Sequence, residues 1–128
     1  MSEKFTVEII TPDSSILRSE TSEVTIPSYE GQMGILKDHI PLITFLRPGL
    51  ISIKGQVDQK YYVEEGTVEF SNNNLLILTS TVRELSKLGE DSIDNLIKQA
   101  EKKLNDDSTD KERYLLTHKV DILKEISQ

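Results

Sequence analysis

Chemistry needs a titratable pair, a nucleophile beside a base, a metal-ligand spacing or a phosphate cradle, and the 128-residue sequence offers few candidates for any of them. The two histidines, His39 and His118, have no cysteine company, since the chain contains no cysteine. Neither sits in HxxxH or HExxH spacing, so a metal would need carboxylates gathered from distant segments. Neither is flanked by a serine placed as a nucleophile. The pair Glu64-Glu65 invites an acid–base reading, but neighbours on a strand point to opposite faces and cannot share a substrate. Gly31-Gln32-Met33-Gly34 lacks both the third glycine of a dinucleotide turn and the Gly-Lys-Ser/Thr of a P-loop. Disulfides and thiolate zinc sites are excluded outright. As an enzyme, the sequence shows no visible engine.

The elements that position them fall into two regimes. All four prolines and all six glycines lie at or before Gly89, and six of the seven aromatics precede position 71, leaving Tyr114 in the tail. A turn-rich domain over 1–86 and a breaker-free one over 90–128 follow, with Gly89 as the candidate hinge. In the first, Phe5–Ile10, Ser22–Pro27, Leu50–Lys54 and Thr67–Phe70 carry the period-2 alternation of half-buried strands, and Asp58–Glu64, containing Tyr61-Tyr62-Val63, reads as a further strand. Asn72-Asn73-Asn74 reads as a hairpin turn, because Asn tolerates the left-handed conformation. Leu75-Leu76-Ile77-Leu78 is apolar at every position, so a central strand buried on both faces is expected there. Strands at this spacing specify an all-β sandwich or barrel, with about eight to ten strands in residues 1–85.

The second regime predicts two helices, over about 92–104 and 110–126. Ile93, Leu96, Ile97, Ala100 and Leu104 make one apolar stripe; Leu115, Leu116, Val120, Ile122, Leu123 and Ile126 make the other. Thr109 and Glu112 have capping-box spacing, and the short polar connection Asn105–Ser108 forces an antiparallel hairpin. The fold class is therefore α+β, an N-terminal antiparallel β-sandwich followed by a C-terminal two-helix hairpin. Two such stripes cannot fully bury each other. The remainder either docks on the sandwich or grips another protein, and the two fit different states.

Net charge is −7, from 15 Lys and Arg against 22 Asp and Glu. That balance argues against binding nucleic acid or anionic lipid headgroups. No apolar run approaches a membrane span, and Met1-Ser2-Glu3-Lys4 lacks the basic start of a secretory signal, so a membrane role is expected only through a partner.

One segment is more specific. Glu30-Gly31, Gly34-Ile35-Leu36, His39, Pro41-Leu42 and Pro48-Gly49 occupy, in order and spacing, the signature positions of a known family. With the opening Phe-Thr-Val-Glu-Ile-Ile-Thr-Pro and the order of strands before helices, the whole chain resembles the epsilon subunit of F-type ATP synthases, called delta in mitochondria. Lys37 and Ile40 depart mildly from it, standing where the family often has Pro and Ala. Nucleotide-binding members open the first helix with (I/L)-D-x-x-R-A; here Ile93 and Asp94 match and Ile97 replaces the arginine. Losing that bidentate donor removes much of the geometry for phosphate.

The resemblance implies a non-catalytic central-stalk subunit that binds gamma, rests on the c-ring and couples proton flow to ATP synthesis from the cytoplasmic face of the inner cell membrane. It implies that Glu30, Gly31, Gln32 and His39 face the c-ring loops from one end of the sandwich. Gamma is expected at the opposite edge, on exposed apolar residues that the sequence does not single out. The hairpin would touch the alpha/beta catalytic head transiently. Because Lys111, Arg113, Lys119 and Lys124 alternate with Asp110, Glu112, Asp121 and Glu125, its inhibition of ATP hydrolysis is expected to be modest or absent. No cofactor is expected. A free-standing nucleotide sensor, with its ligand in the crease between sandwich and hairpin, is the alternative.

Overall fold

The computed structural model describes residues 3–106 and 108–127; Met1, Ser2, Gln128 and Asp107 of the helix connection lie outside them. Ten strands precede two helices: β1 (Phe5–Ile10), β2 (Ser15–Thr21), β3 (Glu23–Ser28), β4 (Gly31–Leu36), β5 (Leu42–Leu46), β6 (Gly49–Ile53), β7 (Gln59–Val63), β8 (Gly66–Ser71), β9 (Asn74–Leu78) and β10 (Arg83–Glu84), then α1 (Glu90–Asn105) and α2 (Asp110–Ile126). The ladder runs β10-β7-β6-β3-β5-β8-β9-β1-β2, with β4 on the free side of β3. It curls into two layers. β4, β3, β6, β7 and β10 form one, β5, β8, β9, β1 and β2 the other, and the pairing Ser28↔Leu46 splices them.

The inward positions of both layers meet in one core. Val24, Ile26, Ile35, Ile51, Tyr61 and Val63 face Phe5, Val7, Ile9, Val68, Phe70 and Ile77. Phe5 meets Phe70 edge-on at 5.6 Å, the arrangement that opposes a positive ring edge to a negative face. Alternation puts the intervening side chains on the outer faces, and the two outer faces have different fates. On the β6–β7 side, Leu50 and Tyr62 are covered by Ile93, Leu96 and Leu123 of the helices, and Tyr62 is wholly buried. The helix pair therefore docks on the sandwich in this state.

Local chemistry explains the boundaries. Asn72 and Asn73 take φ of 51° and 58°, the paired left-handed conformation of a two-residue hairpin turn, as their sequence predicts. Thr109 and Glu112 form the predicted capping box. α1 begins at Glu90, two residues earlier than its stripe indicates, with Gly89 as an N-cap that offers no side-chain bond.

Leu75–Leu78 differs from expectation. β9 is central, between β8 and β1, but only Leu75 and Ile77 are buried; Leu76 is half-buried and Leu78 exposed. The reason is that, among the described residues, no element covers the outer face of this layer.

Gly66 shows where the backbone tolerates no substitution. Its φ is +154°, and an added Cβ would stand 2.5 Å from the Leu78 carbonyl oxygen across the β8–β9 pair. Gly66→Ala is expected to cost at least about 1–3 kcal/mol, the usual magnitude of such backbone strain. Urea denaturation of both proteins measures it, and an unchanged midpoint would contradict the strain.

Candidate functional site: two faces and a docked hairpin

The uncovered outer face is built by register. Phe45 pairs with Thr67, Thr67 with Leu78, and Leu78 with Ile10, giving one row across four strands. The next row runs Ile43, Glu69, Leu76, Glu8. Ile43 is 71% exposed, Phe45 58% and Leu78 44%. Leu36 and Ile40, at the end of β4 and in the turn after it, add exposed apolar surface. Scattered exposed apolar residues need no explanation, whereas neighbours in register on one sheet face mark a docking surface. The sequence signal was present in the all-apolar run of β9, which reports a strand with two apolar faces without saying what covers the second.

The residues that the resemblance groups at one end do not stay together. Glu30 sits in the tight turn between β3 and β4, Gly31 follows with φ +118°, and Gln32 is exposed near the start of β4. Ser28 holds this turn, its hydroxyl donating to the Gly31 carbonyl at 2.7 Å and accepting from the Glu30 N–H at 3.2 Å. His39 lies beyond Leu36, at the other end of β4. A six-residue strand separates them by roughly 20 Å, at 3.2–3.4 Å per residue. Grouping His39 with Glu30, Gly31 and Gln32 is thus corrected. The His39 ring rests edge-on against Phe70 at 5.9 Å, and its turn is tied to the Asn turn: the Asp38 N–H donates to Asn73 Oδ1 at 2.7 Å, and Asn73 Nδ2 donates to Asp38 Oδ1 at 3.0 Å.

Polar ties hold the hairpin to the sandwich beside the apolar cluster. The Tyr62 hydroxyl donates to Glu64 Oε2 at 3.1 Å, and Lys119 Nζ meets the same oxygen at 3.0 Å. Burial, with Glu64 beside it, raises the Tyr62 phenol far above its ordinary value, so it stays a donor. Nearer the start of α2, Arg47 Nη1 donates to the Tyr114 hydroxyl at 3.1 Å, and the Tyr114 ring lies nearly parallel to Tyr29, 6.1 Å away.

Ile93 is buried in the cluster that docks the hairpin, with Ile97 half-buried against it, while Asp94 is exposed at the start of the second turn of α1. The position that lacks arginine is therefore used for packing. Gly89 has φ −80° and open space around its Cα, a conformation any residue adopts. The crease between hairpin and sandwich holds a cleft of about 360 Å³ lined by Arg47, Lys60 and His118 but also by Asp121 and Glu125. Among the described residues no three His, Asp or Glu side chains gather as a metal site, and no helix is long and apolar enough to cross a membrane.

The fold is a β-sandwich with one outer face closed by its own helical hairpin and the other left open, with Ile43, Phe45 and Leu78 exposed on it, the build of a protein-docking module. Residues 4–84 match the family model described as the ATP synthase delta/epsilon chain beta-sandwich domain. The chain is 47% identical to the ATP synthase epsilon chain of Pelagibacter ubique, over 99% of this chain and 100% of that one. It is 31% identical to that of Parvibaculum lavamentivorans, over 98% and 97%. Two solved structures share the fold at low identity. In the Euglena gracilis mitochondrial ATP synthase, described as OSCP/F1/c-ring, the TM-score is 0.75 at 18% identity, covering 94% of this chain and 78% of that one. In the central stalk/c-ring of the Tetrahymena thermophila enzyme it is 0.71 at 17%, covering 99% and 98%. The chain belongs to the ATP synthase epsilon-chain family, whose members are non-catalytic subunits of the complex.

Proposed function

We propose that this chain joins the gamma subunit to the c-ring and turns with both, coupling proton flow to ATP synthesis at the cytoplasmic face of the cell membrane. The observation that carries this is the register-built apolar face of Ile43, Phe45 and Leu78, which the chain's own hairpin leaves bare. Gamma is the partner proposed for it. A long shaft subunit can bury these side chains where water would otherwise meet them, at about 1.5–3 kcal/mol for each fully buried residue. The Tyr29–Glu30 turn, with Gly31 and Gln32, is the contact proposed for the polar c-ring loops; a tight turn held by Ser28 can approach a partner closely. His39, at the far end, takes no part in that contact. A stiff, close-packed sandwich suits a part that transmits torque.

The hairpin acts on the catalytic head only weakly in this reading, because α2 carries both signs of charge along its length. ATP is not a ligand of this chain in the same reading, which the crease cleft supports by setting Asp121 and Glu125 among its cations, since carboxylates repel a triphosphate.

Phe45→Asp is expected to leave the sandwich folded and to weaken association with gamma by about 2 kcal/mol, the size of an interface hot spot. Calorimetric titration of gamma with both chains reads this, and equal affinities would move the gamma contact elsewhere. In the reconstituted complex, a chain lacking residues 90–128 should change ATP hydrolysis little, and a large rise would show strong inhibition by the hairpin. Equilibrium dialysis of the full chain against ATP should show no binding at micromolar concentration; binding there would favour the sensor reading.

A further inference from the structure

Tyr114 is the place where the hairpin reaches the Tyr29–Glu30 turn. Its ring lies at 14° to that of Tyr29, its hydroxyl accepts from Arg47, and its other side packs edge-on against His118 at 4.5 Å. Arg47 is itself tied to the neighbourhood of the turn, since its N–H donates to the Pro27 carbonyl at 3.0 Å, two residues before Tyr29. The groups around His118 divide by element. From the sandwich come two cations, Arg47 between β5 and β6 and Lys60 of β7; on α2 itself stand Asp121 and Glu125. When α2 lifts away, His118 leaves both cations and keeps both carboxylates, one and two turns along its own helix. A proton on the imidazole is therefore disfavoured while the hairpin is docked and tolerated once it is free.

We propose that Tyr114, Arg47 and His118 form a latch that ties docking of the hairpin to the order of the Tyr29–Glu30 turn, and that acid loosens it. Burial first, then Arg47, hold the His118 imidazole below its ordinary 6.5, with Asp121 pulling the other way. The sign follows from linkage: a histidine whose docked-state value is depressed stabilises docking fully above 6.5, and that contribution is lost as pH falls through the depressed value. Coupling is reciprocal, so a partner that immobilises the turn favours the docked hairpin. The consequence for the motor rests on the proposed c-ring contact of the turn. The latch itself does not.

The absence of native cysteine lets two introduced ones, Asp13→Cys on the sandwich and Glu101→Cys on the outer side of α1, carry a donor and acceptor dye in the full chain. Transfer efficiency should fall between pH 7.5 and pH 5.5, and His118→Gln should flatten that response. Lys119→Met, which cuts the separate tie to Glu64, should lower transfer across the range and serves as the positive control for opening. Tyr114→Ala should raise the open fraction of the hairpin, with the docked form still in the majority, and raise amide exchange at Tyr29 and Glu30 severalfold, while the core amides of Val7, Phe70 and Ile77 stay protected. A pH-independent transfer signal, or a turn whose exchange ignores Tyr114→Ala, overturns the latch. In vesicles containing the whole synthase, Tyr114→Ala should lower proton pumping per ATP hydrolysed. Unchanged pumping beside raised turn exchange leaves the latch standing and removes the c-ring from the turn.

Discussion

The burial of Tyr62 is the constraint on which the arrangement of the two domains depends. Tyr61 and Tyr62 are consecutive on β7 and so point to opposite faces, yet both are buried. Tyr61 belongs to the sandwich core. Tyr62 is on the outside of the sheet and is dry only because Ile93, Leu96 and Leu123 cover it. Its hydroxyl must then find a partner, because an unpaired buried donor costs about 1–3 kcal/mol. Glu64 supplies one, and its carboxylate in turn draws Lys119 from α2. One outward ring thus fixes both the apolar and the charged part of the docking, and lifting the hairpin undoes them together.

The same reasoning shows how far the sequence could be read. Tyr61-Tyr62-Val63 and Leu75-Leu76-Ile77-Leu78 are both continuous apolar runs, and a continuous run states that both faces of a strand are meant to be covered. For β7 the cover lies in the same chain. For β9 it does not, so the outward Leu78 is exposed and the expectation of burial on both faces fails. Periodicity within one chain reports the number of apolar faces, and the identity of the cover is a property of the assembly.

Other misses have equally local causes. β4 carries two glycines and a glutamine within six residues, which reads as a loop, and only its pairing with β3 makes it a strand. Recognising it as a strand would have separated Glu30 from His39 at once. β5 lies between Pro41 and Pro48 and shows no clean alternation, because Ile43 and Phe45 are apolar on the side that faces away from the core. β2 shows no apolar alternation because Ile16 and Leu17 are adjacent, at the register shift opposite Ile9/Ile10, and its inward Ser19 and Thr21 are polar. What was legible had a local signature: the Asn turn, the capping box, the alternation of β1, β3, β6 and β8, and the two helical stripes. Pairing across the sheet has none.

Charge and hinge together limit what the hairpin can do once free. Residues 1–85 hold 7 basic against 12 acidic side chains, whereas 86–128 hold 8 against 10, so the hairpin has little net charge with which to seek a surface. The connection at Gly89 is unstrained and stores nothing that would drive opening. Opening instead exposes Tyr62 and Leu50 on one side and part of Leu123, Ile93 and Leu96 on the other, at about 1.5–3 kcal/mol for each side chain that passes fully into water. Attraction between charges cannot offset a loss of that size at exposed sites, where a pair contributes about 0–1 kcal/mol. A freed hairpin must therefore be received by an apolar surface that replaces β6 and β7. With no such surface at hand, the docked state prevails for reasons of burial, and acid or the loss of Tyr114 shifts the balance without reversing it.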